Sequence, residues 1–549
     1  MSFKKAFARK LKGNNYLIHL WDDGGYQKIE WLNQAYSECG EGDASHIGLN
    51  GEPLRKVRNW DRDDPNLHFH DMPPYQKFLV EKYGVDDEPS ITHKEIFFDI
   101  EIEMGGALTE EYIKSAPKKV TSIAWYDKQV DLWGILILDA KNQLKHTKAK
   151  NKEIIPCRTE DELLMKFIEK FREMDPDIIV GWNSDYFDIP YLYYRICNVL
   201  GEDIARYLSP IGYVRETPWS LDYMRLHKKF SWADEPSFKL DAIGEKYAGL
   251  NKIEYDGNLD KLFEDDPLKF IQYNFRDVEI LKVLDEKLEY LSLVKNLAHK
   301  GKHNYSEVYA NTKTQDGAIS AYLLSKGIVP PAKERNPLSK KNYAGGYLFC
   351  PKAGIYNYMF DEDLTSLYPS IIMTINIGKE TMVGRIIDAD DRNNRLGLND
   401  LQNKNPEEEL IVENTKRRRT KVPIEKLIKM IEDNELSVSA NGVLFRTDKE
   451  SVLSTILKKW FDERVMYKNK MKKAFKEGDK EGGAGFHMKQ YTMKILLNSL
   501  YGATALGSFR YGNVILSEAI TLSGQRIIQE SALTANRHIN KVMRGEEEL

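Results

Sequence analysis

The stretch Glu95-Ile-Phe-Phe-Asp-Ile-Glu-Ile-Glu103 decides the fold. From Asp99 onward acids and isoleucines alternate with the two-residue period of a strand. Asp99 and Glu101 therefore leave one face of a sheet while Ile100 and Ile102 enter a core on the other. Two carboxylates side by side repel, and burying them is costly unless a cation sits between them. An isolated D-x-E is more often a solvent-facing strand, so the pair needs partners elsewhere in the chain. Around it, "KKVTSIAWYD" and "DLWGILILD" read as strands, "EDELLMKFIEKFREM" as a helix and "DIIVGWN" as a further strand. That alternation is the mark of an α/β layered domain.

Bulk properties bound the rest. A chain of 549 residues is too long for one hydrophobic core and implies several domains. Hydrophobic content of 42%, charged content of 30% and a net charge of -4 exclude a disordered tail protein and a uniformly basic nucleic-acid coat, so any polyanion site must be local. Cys39, Cys157, Cys197 and Cys350 form no CxxC pair, which argues against zinc ribbons and disulfide scaffolds. No apolar run approaches the roughly 20 residues of a membrane span, and the opening "MSFKKAFARKLKG" has no signal-peptide core. The expected location is the cytoplasm.

The chain is expected to be α/β and α+β multidomain. Residues 1–90 read as an accessory domain of short aromatic strands such as "YLIHLWDD", and 91–298 as the α/β domain, with long helices near 276–298. Residues 299–342 return toward the first segment. A second strand region opens at "YAGGYLFCPKAGIYNYMFDED" within 343–450, where 383–422 reads as polar, irregular excursions. Residues 451–507 read as two helices about a flexible glycine-rich tip, "KEGDKEGGAGF", and 508–549 as an amphipathic helix with Ile520, Leu522, Ile527, Ile528 and Leu533 on its apolar face.

Two further segments supply acids. "GWNSDYFDIPY" follows a strand and places Asn183 and Asp188 beyond its carboxyl end, where open α/β sheets build their sites. In "YNFRDVEIL", Tyr273 and Asp277 stand four apart on one helix face. Four carboxylates, Asp99, Glu101, Asp188 and Asp277, suit a pair of divalent ions acting on a phosphodiester, with Tyr273 orienting water. In order and residue type these segments resemble the three motifs of the 3′→5′ proofreading exonuclease domain of family B DNA polymerases: D-x-E, N-x-x-x-F-D (Asn183, Phe187, Asp188) and Y-x-x-x-D. The resemblance implies a ribonuclease H-like domain, two Mg2+ or Mn2+ ions, and single-stranded 3′ ends as substrate, with Asn183 and Phe187 binding it.

"DLTSLYPSII", residues 363–372, opens with a lone acid ahead of an apolar run that Pro369 interrupts. It resembles the first polymerase motif of the phage replicative branch of that family. Carried over, Asp363 and the Leu364 carbonyl would hold metal, Ser366 and Leu367 would offer amides to a triphosphate, and Tyr368 would lie beneath the sugar and exclude a 2′-hydroxyl. Arg464 and Lys468 are four apart on one helix. Lys494, Asn498 and Tyr501 fall at helical spacing on the next, which makes a cationic clamp for phosphate. "KILLNSLYG" matches the second motif, K-x-x-x-N-S-x-Y-G, so Tyr501 and Gly502 would border the nascent base pair. "YAGG" (343–346) resembles the linker motif between the two sites. Residues 458–480 hold nine Lys/Arg against four Asp/Glu, a local excess of five positive charges.

The family's third polymerase motif, an Asp-Thr-Asp hairpin, and the thumb do not occur in these residues. The resemblance therefore implies a partial palm with helical-hairpin fingers: a complete exonuclease, and a polymerase site that takes two ions only when a second polypeptide supplies the remaining aspartate and the thumb. The expected partners are primer-template DNA, single-stranded 3′ ends, dNTP and that polypeptide, with no membrane. The alternatives are a free-standing 3′→5′ exonuclease with a vestigial polymerase region, or a non-catalytic primer-template binding module.

Overall fold

The computed structural model describes residues 2–209, 211–212, 220–231, 233–334, 345–350, 352–355, 363–364, 366–387 and 398–545. Contacts divide the chain into two units, Met1–Trp31 with Pro74–Thr314 and Leu32–Pro73 with Gln315–Leu549. The segment 1–90 is thus shared between them.

The first unit is built on a seven-stranded sheet. Its spatial order is Thr147–Ala149, Lys152–Cys157, Leu132–Leu138, Val120–Asp127, Glu95–Ile102, Ile178–Gly181, Ser220–Asp222. Glu95–Ile102 runs antiparallel to Val120–Asp127 and parallel to Ile178–Gly181, so the D-x-E strand is interior. On one face lies the helix Glu160–Met174. Thr159 caps it by accepting from the Glu162 N–H, and Asp175 ends it in the left-handed conformation. Leu163, Leu164, Phe167 and Ile168 recur at helical spacing and are buried in the same cluster as Phe98, Ile100 and Trp125. Each contributes about 1.5–3 kcal/mol of burial, and Phe167→Ala would cost about 3–5 kcal/mol.

The helix Pro267–Leu288 packs against the strands Glu95–Ile102 and Val120–Asp127. It starts at Pro267, where a missing N–H costs nothing, capped by Asp266, and stops at Glu289 in the left-handed region. A second helix, Tyr290–Gly301, follows at once, so the helical stretch expected near 276–298 is two helices. The amino-terminal strands Phe3–Lys10, Asn15–Asp22 and Gly25–Leu32 form a separate three-stranded sheet.

In the second unit the strands between residues 35 and 68 are completed by Ile328–Val329, which pairs in parallel with His46–Gly48. Arg510 is fully buried and donates to Asp71 and Asp316, tying residues far apart in sequence.

Three expectations are corrected here. The described residues of 383–422 are largely regular: Met382–Ile387, Glu409–Asn414 and Arg419–Pro423 are neighbouring antiparallel strands, with a short helix Leu398–Gln402. Charged residues facing solvent masked their alternation, while Ile386 and Leu410 fill the inner face with Leu427 from the helix Ile424–Asp433. Among the described residues of 345–355 no strand forms, and Tyr343 lies outside the described set. The glycine-rich tip is helical: Val452–Lys476 and Lys480–Thr504 are joined by only Glu477–Asp479, and Asp479 caps the second helix through the Gly482 N–H. At Gly483 a Cβ would lie 2.5 Å from the Phe475 ring, so a larger residue there would displace that ring.

Pro369 does not break its run either. It lies in the first turn of the helix Leu367–Ile375, where its absent N–H is not needed. In the last helix, Val514–Met543, the apolar face is divided. Ile520 is buried and Leu522 and Ile528 are half-buried, whereas Ile527 and Leu533 are exposed. Among the described residues no helix is long and apolar enough to cross a membrane.

Candidate functional site

The acids converge where the helix Pro267–Leu288 crosses the interior strand. Asp99, Glu101 and Asp277 each place a carboxylate oxygen within 4.8 Å of the others. The side chain of Asp188, the first residue of the helix Asp188–Leu200, accepts from the Ile100 N–H at 3.4 Å, so it lies against the same strand while standing outside that closest trio. The turn before it is sharp: Asn183 has φ 62°, and its N–H donates to Asp222 at 3.0 Å. Phe187 is half-buried with its ring 5.5 Å from that of Tyr191.

Crowding the carboxylates out of water raises their pKa values. Desolvation, then Asp277, pushes Glu101 up to about 8 against the pull of Lys252. Asp99 stands well above the ordinary range through desolvation and then Asp277, Glu101 and Asp188. Asp188 rises to about 7 through desolvation, although backbone N–H donors oppose the shift. Asp277 is raised by desolvation, which outweighs Lys252.

Two residues here escaped the sequence reading. Lys252 pairs with Asp277 and reaches the Tyr273 hydroxyl at 3.3 Å, in a segment with no periodicity to flag it. Asn274 donates to Asp99 at 2.6 Å and accepts from Ser122 at 2.8 Å, fixing the first acid from the neighbouring strand. Its position beside Tyr273 was the available clue. The donor set suits a hard cation: all oxygens, and Asp277 Oδ1 is buried without a hydrogen-bond partner.

In the second unit Asp363 is exposed and Leu364 half-buried. Ser366, with φ 54°, is the cap of the helix that Leu367 and Tyr368 begin, so their N–H groups point out of a helix N-terminus. Tyr368 packs on Tyr501 with ring centroids 4.3 Å apart, and Gly524 leaves room behind it, since a Cβ there would lie 3.1 Å from the Tyr368 ring. Gly345 is held by the Gln525 amide. Arg464 and Lys468 lie on one helix of the pair and Lys494, Asn498, Tyr501 and Gly502 on the other. Lys468, Asn498 and Gly502 are exposed, and the Arg464 Nε is buried without a partner. Asp363 belongs to no group of three potential metal ligands among the described residues.

A family model described as DNA polymerase family B matches residues 310–548, and one described as its exonuclease domain matches 78–217. The chain belongs to the family B DNA polymerases. It is 28% identical to the DNA-directed DNA polymerase of Escherichia phage RB69, over 94% of this chain and 64% of that protein. To the enzyme of Enterobacteria phage T4 it is 26% identical, over 96% and 66% respectively, and to the DNA polymerase of Pyrococcus glycovorans 23%, over 86% and 55%. The chain thus spans just under two thirds of the phage relatives. Asp99, Glu101 and Asp188 fall inside the family B exonuclease match, while Tyr273 and Asp277 lie between the two matched segments.

Proposed function

We propose that this family B chain removes nucleotides from 3′ ends of single-stranded DNA and carries the first part of a site for dNTP and primer-template DNA. The observation that carries the reading is the meeting of Asp99, Glu101 and Asp277 within 4.8 Å, with Asp188 against the same strand. Strand order around Glu95–Ile102 supports a ribonuclease H-like domain over 91–298. The paired helices of 451–507 support helical fingers between two palm segments, 343–450 and 508–549.

Asp99, Glu101, Asp188 and Asp277 would hold Mg2+ or Mn2+, two ions on this reading, and the bound metal supplies Lewis acidity at the phosphodiester. Asn274 keeps Asp99 aimed into the cluster. The Tyr273 hydroxyl, its pKa raised by desolvation and then Asp277, stays protonated and can orient the attacking water. Lys252 offsets the charge of Asp277. Asn183 and Phe187 border the place for the terminal nucleotide. For nucleotide addition, Asp363 and Leu364 would hold metal, while Arg464, Lys468 and Lys494 and the amides of Ser366 and Leu367 would hold triphosphate. Tyr368, Asn498, Tyr501 and Gly502 would shape the base-pair and sugar site. Addition is proposed to require a second polypeptide carrying a further palm acid and the thumb.

A 3′-labelled single strand incubated with magnesium tests the first claim. The wild type should shorten it and the Asp99→Ala, Asp188→Ala double variant should not; equal shortening by both would remove the nuclease assignment. Primer extension that appears only with the complementing polypeptide, and is lost in Asp363→Ala, tests the second.

A further inference from the structure

A cleft of about 530 Å³ opens in the first unit away from the carboxylate cluster, lined by Lys5, Trp21, Tyr26, Arg172, Arg206 and Tyr207 among others. Its walls are aromatic and its charge is positive. Trp21 and Tyr26 lie with ring centroids 4.5 Å apart, and Lys5 sits 5.2 Å over the Trp21 ring. Lys5 is 1% exposed, donates to the Pro176 carbonyl at 2.8 Å and lies 3.6 Å from Asp177, so it is fixed as part of the wall. Opposite, the Arg172 guanidinium stacks 4.7 Å over the Tyr207 ring. Tyr26 and Tyr207 are 47% and 48% exposed, too open for core residues of their size.

The cations are only partly used. Among the described residues Arg172 forms no ion pair, and Arg206 pairs only with the exposed Glu202 and Asp203 of its own turn. Among the described residues Asp175 is the one acid lining the cleft, and it lies 3.7 Å from Lys94. Flat rings beside one guanidinium with no ion pair and another held only by exposed acids match a ligand with a planar face and an anionic group. An aliphatic ligand would leave the cations unanswered, and a simple anion would leave the rings unused.

We propose that this cleft binds an unpaired nucleotide, with the base against the Tyr26 and Tyr207 rings and the phosphate at Arg172 and Arg206. That chemistry is shared by a free mononucleotide and by one residue of a single DNA strand. The site uses none of the carboxylates assigned to the nuclease, so it can fail while that assignment stands, and the reverse.

The test is photo-crosslinking in EDTA with two probes, 5-iododeoxyuridine monophosphate and a short oligothymidylate carrying one 5-iododeoxyuridine, followed by peptide mapping. Adducts at Trp21, Tyr26 or Tyr207 with both probes assign a mononucleotide site; adducts with the oligonucleotide alone assign a strand site. Tyr207→Ala and Arg172→Glu change exposed side chains and should leave the thermal transition in place. Each should weaken oligothymidylate binding about tenfold, within the range of a lost base stack or phosphate contact. Arg172→Lys should recover part of the loss. Adducts confined to other peptides, together with unchanged affinity in both variants, would overturn the proposal.

Discussion

Without metal, the carboxylate cluster should make the protein less stable as pH rises. Glu101 titrates near 4.5 when unfolded and at about 8 in the fold, so between those values the folded state binds the extra proton. Stability then falls with pH by about 1.4 kcal/mol per unit for each such proton, ~5 kcal/mol at most over the Glu101 window. The contribution is fully present below the unfolded value and lost as pH passes the folded one. For a unit of this size 1 kcal/mol corresponds to about 2–4 °C, which thermal melts followed by intrinsic fluorescence resolve. Glu101→Gln keeps the shape and removes the titration, so its melting temperature in EDTA should decline less steeply and exceed the wild type near pH 8. Magnesium competes with these protons: it should raise the wild-type transition near pH 8 and much less near pH 5. Wild-type and Glu101→Gln profiles that superimpose in EDTA, or an equal magnesium gain in both, would refute the reasoning.

Asn274→Ala removes the donor that aims Asp99 and should lower exonuclease turnover and metal affinity about 10–100-fold, measured by single-strand shortening across magnesium concentrations. In Lys252→Met the acids lose the cation that favours their charged forms, so the acid limb of the nuclease pH–rate profile should move to higher pH. Arg510→Met leaves Asp71 without its arginine and Asp316 with only Lys333 as counter-charge, and should destabilise the second unit by about 3 kcal/mol, read as a lower melting temperature. Because Asp363 belongs to no group of three potential metal ligands among the described residues, Asp363→Ala should leave Mn2+ binding by this chain unchanged in calorimetry, whereas Asp99→Ala should reduce it.

The sequence exposed the elements whose period is undisturbed. Alternation around Asp99 and the helical spacing of Leu163, Phe167 and Asp277 are written in adjacent residues, and the structure repeats them. Signals failed where a local rule had two outcomes. Glycines at 482, 483 and 485 suggest a flexible tip, but Asp479 caps a helix over them and the small residues admit Phe475. Proline at 369 suggests a break, but a first-turn proline is neutral. Lys252 and Asn274 could not be found by periodicity, since they join the site through packing between segments about 150 and 175 residues from the D-x-E strand.

The two acid sites differ in how their charges are supported. In the first unit each carboxylate is placed by regular structure: two by an interior strand, one by a helix crossing it and one by the start of another helix. Those elements are fixed by the core beneath them, so the desolvation that chiefly raises Glu101 and Asp188, with repulsion from neighbouring acids added to it, is held by packing and can be relieved by a cation. Asp363, by contrast, is exposed and outside any strand or helix, and the described groups of its motif are donors and rings: the helix N-terminus at Leu367 and the Tyr368–Tyr501 pair. Helix N–H groups and stacked rings suit phosphate and a flat sugar or base, and among the described residues Asp363 joins no group of three potential metal ligands. On the proposed reading, Asp99, Glu101, Asp188 and Asp277 would then work without further acids, whereas Asp363 would need carboxylates brought to it before it could catalyse nucleotide addition.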